Sequence, residues 1–577
     1  MGNYINPFKS ERAAALTDEE VLNFYIEDRN YARFIRSPRN IFLVGERGCG
    51  KSMALRYNSF EVYHKRDKGN IDYSIIGVQV SKSFIFHRQE YLLLNDEFRR
   101  SVICEHFMVL SIMNEIAASL SKISEISEVV KKESKQLFQS FEYVLGIKLR
   151  KKDDFFTSVK YYTSQESILT QKKINEYDST GFYNNIKSFS STIIPFIEII
   201  KDISVFKNSH FLLMFDDAQT MNEYQIKILN SWIANRDHSN FSFKVATTKI
   251  DRPKFITSTG GTILEGHDFT SIDMEKSFQN PDSDFYKLAK KIVEKRLETI
   301  DLHDIEAEVF FPENPEFTKK MKECEEYVRK EAEKKYSEDR KKINDHIYKY
   351  ARAKYYRDRL EEKKGRANMP PYSGFKMIVA ISTGIIRNLL EPCFFMFDLA
   401  LSDKDKNLKE IDYSKQNQII IEKSKEKWTF IENGLASSIE NCSTEQAKQI
   451  HQLFNNLMMH FRERLKSHKS EPRAITFTIS QKNIHEQKYN EVKELLNIAR
   501  KAQILYTRIS RSKDDGKLEE YFVPDRLLFP SWGLDPEGQH ARVSLKAMDL
   551  WNAAFRNIKI PYRNNENTPT LFGGNDE

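Results

Sequence analysis

Residues 40–52 read Asn-Ile-Phe-Leu-Val-Gly-Glu-Arg-Gly-Cys-Gly-Lys-Ser, with a glycine-rich turn directly after a short apolar run. Residues 45–52 fit the pattern GxxxxGK[ST], and the apolar run predicts the strand that must precede this pattern. Glycines allow successive backbone amides to point inward at phosphate oxygens, where side chains would obstruct them. The sequence therefore predicts a phosphate-binding loop between a strand and a helix.

The loop residues are expected to bind ATP together with Mg²⁺. The expected nucleotide-binding residues are Gly45, Glu46, Arg47, Gly48, Cys49, Gly50, Lys51 and Ser52. Lys51 supplies a positive charge near the β- and γ-phosphates, and the helix that begins near Ser52 points its positive dipole end at the same anion. The Ser52 hydroxyl can complete the oxygen coordination of Mg²⁺, so Ser52 is also an expected metal ligand.

A second apolar run, Phe211 to Phe215, ends in two adjacent carboxylates, as expected of a buried parallel strand that leads into a site. Asp216 is the expected carboxylate on the magnesium side. Asp217 would then orient or deprotonate the water that attacks the γ-phosphate. Either carboxylate can instead cap the following helix, and that alternative stays open at this stage.

Two threonines, Thr247 and Thr248, follow a third apolar run at 241–246. One of them can position the attacking water, although simple strand-end hydrogen bonding explains them equally well. The segment that starts at Thr248 also resembles the NKxD motif of GTPases. However, Asp216 is followed by Asp-Ala-Gln and lacks the glycine of the DxxG motif, so adenine is the expected base.

Strands alternating with long helical stretches predict an α/β fold: a P-loop NTPase with a parallel sheet, large helical insertions, a helical lid and a C-terminal winged-helix-like domain. The predicted domains are a P-loop ATPase core at 1–310 with a helical insertion at about 90–207, a charged helical insertion at 311–369, a helical lid at 370–440, a winged-helix-like domain at 441–535 and a tail at 536–577.

The winged-helix prediction comes from the order helix, strand, helix and hairpin between residues 445 and 523, with the hairpin turning near Asp514-Asp515-Gly516. Nucleic acid is a possible partner through residues 486–523. The basic residues of this segment are Arg500, Lys501, Arg508, Arg511, Lys513 and Lys517. Acidic neighbours dilute them, so an ordinary solvated surface is an equal alternative.

Composition adds only weak constraints on partners. The 577 residues carry a formal charge of +7, which gives a mild preference for polyanions, and the five cysteines form no CxxC pair. No secretory signal and no uninterrupted apolar stretch of about 18 residues is found, so we expect a cytoplasmic protein without a membrane partner.

The strand–GERGCGKS–helix, the LLMFDDAQ strand and the VATTK strand end resemble those of AAA+ ATPases, and within them the ORC/Cdc6-like and STAND-like branch found in bacteria. Asn6-Pro7-Phe8 and the segment 266–269 add to the likeness. Residues 382–390 resemble a sensor-2 motif, which implies that Arg387 reaches from the lid to the γ-phosphate. The resemblance also implies a homo-oligomer with an arginine finger, for which Arg252, Arg296 and other arginines are indistinguishable candidates.

Asp217 stands where many members of the resembled family carry Glu, so slow hydrolysis is expected. One hypothesis is an oligomerising, ATP-controlled switch that gates a partner protein or nucleic acid. By resemblance such a switch would act in bacterial antiviral defence with a separate effector protein. The alternative hypothesis is a DNA-binding replication initiator or loader-like ATPase.

Overall fold

The structure is a computed structural model, and its chain forms two compact units. One unit contains residues Ser10–Glu275 and is called the P-loop unit; the other combines Met1–Lys9 with Lys276–Glu577 and is called the flanking unit. The described residues are 6–8, 13–27, 31–66, 71–80, 89–176, 185–234, 240–250, 254–275, 283–337, 339–361, 370–402, 408–467, 471–480, 484–511 and 518–562. The finer division into five domains stays a prediction.

A five-stranded parallel sheet forms the centre of the P-loop unit, in the order β2-β3-β4-β1-β5. Its strands are β1 (Ile41–Val44), β2 (Ile75–Val80), β3 (His210–Phe215), β4 (Phe241–Thr247) and β5 (Thr270–Asp273). Every residue of β1 and β4 is buried, as expected when helices cover both faces of a parallel sheet. With the many helices around it, this sheet confirms the predicted α/β class.

The register brings the carboxyl ends of the strands to one edge of the sheet. Val44 lies opposite Thr247 on one side and opposite Asp273 on the other. Phe215 lies opposite Val245, so Asp216, the residue after β3, lies beside the last residues of β4. The segments that follow β1, β3, β4 and β5 therefore meet at the same edge.

Helices connect and cover these strands. They are α1 (Asp18–Phe24), α2 (Tyr31–Ile35), α3 (Lys51–Tyr57), α4 (Phe60–Tyr63), α5 (Glu97–Ser121), α6 (Ser124–Leu145), α7 (Phe155–Asn175), α8 (Ile194–Lys201) and α9 (Glu223–Ala234). Short 3₁₀ turns lie at Ala13–Ala15, Glu90–Leu93, Ser204–Phe206 and Ala218–Thr220, and a π turn lies at Phe189–Ile193. Thr17 and Glu20 form a capping box at the start of α1.

Helix α5 belongs to the predicted helical insertion and is the most apolar long helix of the P-loop unit. Among the described residues it alone is long and apolar enough to cross a membrane, and 67% of its most apolar window is buried inside the fold. It packs with α7 and α9. This burial is typical of a core helix. The expected cytoplasmic location stays a prediction.

The flanking unit is mostly helical. Its helices are α10 (Asp284–Glu298), α11 (Ala307–Phe310), α12 (Pro315–Tyr336), α13 (Arg340–Glu361), α14 (Phe375–Ile381), α15 (Ile386–Ser402), α16 (Tyr413–Thr429), α17 (Leu435–Ser438), α18 (Thr444–Lys466), α19 (Glu486–Lys501) and α20 (Ala547–Phe555). A π turn lies at Phe430–Gly434, and 3₁₀ turns lie at Arg526–Leu528 and Pro530–Trp532. Helices α12 and α13 pack side by side, with Phe317 edge-on to Tyr355, so the charged insertion is a helical hairpin.

A second sheet in the flanking unit has the order β7-β8-β6-β9. Its strands are β6 (Thr476–Ser480), β7 (Leu505–Arg511), β8 (Leu518–Pro524) and β9 (Arg542–Lys546). Strands β7 and β8 form the expected antiparallel hairpin, whose predicted turn at 512–517 lies outside the described residues. Strand β9 pairs parallel to β6, and α20 follows it, although the sequence predicts only a tail after residue 535.

The Asn6-Pro7-Phe8 segment is a structural anchor of the flanking unit. The Asn6 side chain donates to Phe394 O over 3.0 Å and to Asp398 Oδ1 over 2.7 Å. The Phe8 ring is fully buried and packs against Phe311 and Phe397. The segment thus completes the core around helix α15.

Candidate nucleotide-binding site

The backbone of the loop at 45–52 needs its glycines. Gly48 and Gly50 have φ angles of 86° and 104°, in the left-handed region that favours glycine. A Cβ on Gly45 would lie only 2.7 Å from the Cys49 sulfur. The Gly45 amide also donates to the carbonyl of Thr247 over 3.3 Å, which fixes the loop against the end of β4. The structure thus places the loop at the carboxyl edge of the sheet, between β1 and α3.

Lys51 is the first residue of α3 and its side chain lies inside the loop, only 5% exposed. Its Nζ donates to Gly45 O over 2.7 Å and to Glu46 O over 2.9 Å. Ser52 is half-buried in the first turn of the same helix. The positive charge of Lys51 therefore lies where the loop amides and the helix N-terminus already favour an anion.

Asp216 and Asp217 lie just past β3, at the same edge. Asp216 is buried, and its Oδ1 accepts from the Asp217 amide over 2.9 Å. Asp217 has a φ of 52° and a left-handed backbone, and its Oδ1 accepts from Gln219 Nε2 over 3.0 Å. The two carboxylates therefore have different surroundings, which agrees with different roles.

Thr247 and Thr248 are both buried at the end of β4. The Thr247 carbonyl holds Gly45, as described above, but its hydroxyl Oγ1 has no hydrogen-bond partner among the described residues. A buried hydroxyl without a partner is costly, and native proteins usually satisfy such groups with a ligand, an ion or water. Its position beside the loop and the Asp216 segment favours a polar ligand there.

These residues fit a magnesium-bound nucleoside triphosphate. The loop amides and Lys51 would hold phosphate oxygens, while Ser52 and Asp216 offer the oxygen ligands that Mg²⁺ prefers. The unpartnered Thr247 hydroxyl and the Asp217 carboxylate supply polar groups for the terminal phosphate or a water beside it. The structure brings residues 45–52, Asp216, Asp217, Thr247 and Thr248 to one edge of the sheet.

Three charged residues at the same edge are not among the predicted site residues: Lys249, Asp273 and Glu275. Lys249 Nζ lies 2.8 Å from Asp273 Oδ2 and 2.9 Å from Glu275 Oε2. Burial by itself lowers the pKa of Lys249, but the charges and hydrogen bonds of Glu275 and Asp273 outweigh it and raise the pKa overall. Lys249 therefore stays charged at neutral pH.

Arg387 belongs to the flanking unit, in the first turn of α15. Its side chain is half-buried and makes no hydrogen bond, ion pair or ring contact with any described residue. The turn before it is fixed, because Thr383 Oγ1 contacts Asp525 Oδ1 over 3.3 Å and accepts from the Arg526 amide over 3.0 Å. The sensor-2 role of Arg387 stays a prediction.

Among the arginine-finger candidates, Arg252 lies outside the described residues. Arg296 is only 4% exposed, and its guanidinium donates to Pro7 O over 2.7 Å inside the flanking unit. A buried arginine that anchors the chain cannot reach a neighbouring subunit. Arg296 is therefore a structural residue.

Two of the predicted basic residues near the β7–β8 hairpin make hydrogen bonds within the flanking unit. Arg500 donates to Thr507 Oγ1 over 2.9 Å, and Arg508 donates to the carbonyls of Thr507 and Thr383 over 3.2 and 3.5 Å. Lys513, Lys517 and the Arg511 side chain lie outside the described residues. The described arginines thus have intramolecular contacts that phosphate binding would have to replace.

Comparison with known proteins gives a match to a family model. No curated protein matches the chain. The model of the ORC-CDC6-like family matches residues 6–545, which includes the P-loop, the Asp216 segment and nearly all of the second sheet. Because this match spans most of the 577 residues, the predicted resemblance is confirmed. The chain belongs to the ORC-CDC6-like family of AAA+ P-loop ATPases.

Proposed function

We propose that this protein binds ATP with Mg²⁺ at the P-loop unit and hydrolyses it slowly to ADP and phosphate. The observation that carries the proposal is the unpartnered Thr247 hydroxyl, buried at the edge where the glycine-rich loop and Asp216 also lie. Ligand oxygens at that point would satisfy the hydroxyl, the loop amides and Lys51 together. If the loop had only a structural role, nothing would explain why the Thr247 hydroxyl is buried without a described partner.

Each residue has a distinct part in this proposal. Lys51 and the loop amides hold the phosphates, Ser52 and Asp216 hold the metal, and Asp217 orients the attacking water. The shorter Asp217 side chain, whose Oδ1 already accepts from Gln219, favours slow turnover. Slow turnover suits a switch, because the ATP-bound form then lasts long enough to act on a partner.

We further infer that ATP binding drives self-assembly and that the assembly gates a separate effector protein, as in antiviral defence. Membership in an AAA+ family supports the assembly. The helical insertion of α5–α8 and the α12–α13 hairpin offer large surfaces outside the sheet for a partner. Arg387, with no described partner of its own, is the proposed reporter of the γ-phosphate.

The second candidate function is a DNA-binding initiator or loader-like ATPase. It is favoured by the order of α18, β6, α19 and the β7–β8 hairpin, which is that of a winged-helix-like domain. The contacts that Arg500 and Arg508 make within the unit weigh against these two residues as phosphate ligands. We therefore place this function second.

Mass measurement in solution tests both candidates at once. Purified protein would be measured alone, with ATP and Mg²⁺, with ADP, and with ATP plus duplex or single-stranded DNA, beside the variant Lys51→Ala. The switch predicts an ATP-dependent rise in mass that Lys51→Ala abolishes and that needs no DNA. A mass that changes only when DNA is added favours the initiator. An unchanged monomer that shows no ATP binding in calorimetry contradicts both.

A further inference from the structure

Glu275, two residues past the end of β5, joins two parts of the nucleotide edge. Its side chain is 4% exposed. Its Oε1 accepts from the backbone amide of Glu46 over 2.9 Å, and its Oε2 accepts from Lys249 Nζ over 2.9 Å. One carboxylate therefore connects the second residue of the P-loop to the residue that follows Thr248 at the end of β4.

The backbone around Glu275 is itself fixed. The Met274 amide donates to Val44 O over 2.9 Å, which continues the pairing with β1, and the Glu275 amide donates to Asp273 Oδ1 over 2.9 Å. Asp273 Oδ2 also lies 2.8 Å from Lys249. The carboxylate is therefore a rigid support for the loop and not a surface charge that happens to lie near it.

The charge of Glu275 requires compensation at this place. A carboxylate buried beside a polyphosphate site would repel the ligand, and the repulsion is stronger where water is excluded. Lys249 neutralises it at 2.9 Å. Lys249 is shared with Asp273, whose side chain is 57% exposed and therefore screened by water, so the ammonium mainly offsets the buried charge of Glu275.

We propose that Glu275 is a positioning residue for the P-loop and that Lys249 makes its carboxylate compatible with a bound triphosphate. This inference rests on the proposed function. Glu275 touches neither nucleotide nor metal in it; it acts through the Glu46 amide, and so it sets how well the loop is ordered for phosphate.

Four variants test the pair: Glu275→Ala, Glu275→Gln, Lys249→Met and the double variant Lys249→Met/Glu275→Gln. Nucleotide affinity would be measured by calorimetry with ATP and ADP. Loss of the charge-assisted acceptor in Glu275→Ala should weaken ATP binding about tenfold. Glu275→Gln keeps an acceptor for Glu46 and should lose less. Lys249→Met removes the ammonium that faces the Glu275 carboxylate, so it should weaken ATP binding more than ADP binding, and the double variant should recover towards Glu275→Gln.

Amide hydrogen exchange of residues 45–52 in nucleotide-free protein separates this inference from the proposed function. Glu275→Ala should speed exchange in that segment, whether or not ATP binds. Faster exchange in a protein that binds no nucleotide would support the positioning role and remove the proposed function. Unchanged exchange, or affinities all within twofold of the parent protein, would overturn the inference. The exposed pair Lys122 and Glu61 is the control, and Lys122→Met should change neither readout.

Discussion

The Oδ1 atom of Asp216 accepts a 2.9 Å hydrogen bond from the backbone amide of Asp217, so one carboxylate helps to hold the turn that presents the other. Asp217 has a left-handed backbone, which asparagine tolerates better than most residues. Asp217→Asn should therefore keep the turn and the Gln219 contact while removing the charge. We expect ATP hydrolysis to slow by about 100-fold with ATP affinity nearly unchanged.

Single-turnover phosphate release and calorimetry would check this expectation. Asp301→Asn is a matched control, because Asp301 also has a left-handed backbone but an exposed side chain in the flanking unit. The control should leave both readouts unchanged. Hydrolysis at the parent rate in Asp217→Asn would remove Asp217 from the reaction.

Thr247→Val tests the buried hydroxyl. Valine has nearly the same shape and removes a polar atom that has no partner among the described residues. The free energy of unfolding without nucleotide should therefore stay the same or rise by about 1 kcal/mol, whereas hydrolysis should fall at least tenfold. Urea unfolding and phosphate release would measure the two effects. Thr248→Val is the comparison, and an equal loss of hydrolysis there with none at Thr247 would reverse the assignment.

Lys244 should make the stability of the P-loop unit depend on pH. It is fully buried in β4, where its Nζ donates to Ser37 O over 2.7 Å and also to Arg39 O. Burial lowers its pKa from 10.5 to about 7. Between about pH 7 and 10 the unfolded chain binds the extra proton, so this residue makes stability rise with pH, by at most about 1.4 kcal/mol per unit.

Urea unfolding at several pH values from 7 to 10 would check the contribution of Lys244. The parent protein and Lys244→Met should differ in slope, with the rise absent from the variant. Other groups titrate in this range, but they contribute to both proteins. Identical slopes would show that Lys244 is protonated in the folded state throughout.

Asp535 should be essential for the stability of the flanking unit. It is only 2% exposed, and its Oδ2 lies 2.9 Å from Arg352 of α13 and 2.8 Å from Arg473, just before β6. Asp535→Asn would remove the carboxylate that Arg473 and Arg352 share, although Arg352 keeps Glu537 at 2.7 Å, and this loss should cost about 3 kcal/mol in unfolding free energy. Glu426→Gln is the control, since its pair with Lys423 is largely exposed on the Glu426 side. Equal stabilities of the two variants would contradict the expectation.

The sequence predicts the strands that have an apolar run or lie in a helix–strand–helix–hairpin order, but it misses β5 and β9. Strands β3 and β4 lie in the middle of the sheet, where burial on both faces demands such runs. Strand β5 lies at the edge and contains a single large apolar residue, Ile272, so composition alone does not reveal it. Strand β9 has a usable signal, because Val543 and Leu545 alternate with polar residues, as in a half-buried strand.

The residues of the candidate site are also of two kinds: those that a local sequence pattern reveals and those that it does not. The loop at 45–52 and Asp216 are recognisable because each follows a strand and has a local pattern. Glu275 has no such pattern: its partners Lys249 and Glu46 lie 26 and 229 positions away in the chain. The unpartnered Thr247 hydroxyl likewise becomes evident only from its burial. Side chains that act through distant partners require the three-dimensional arrangement.

Because the Asn6 side chain bonds to Asp398, 392 positions later, the flanking unit draws on both ends of the chain. During synthesis on a ribosome, residues 10–275 emerge with all five strands of their sheet before the partners of Asn6 exist. The nascent P-loop unit can therefore fold first and shorten the distance that the early segment must later bridge. Translation thus imposes an order of assembly in which the segment around Asn6 is made before residues 10–275 but finds its place after them.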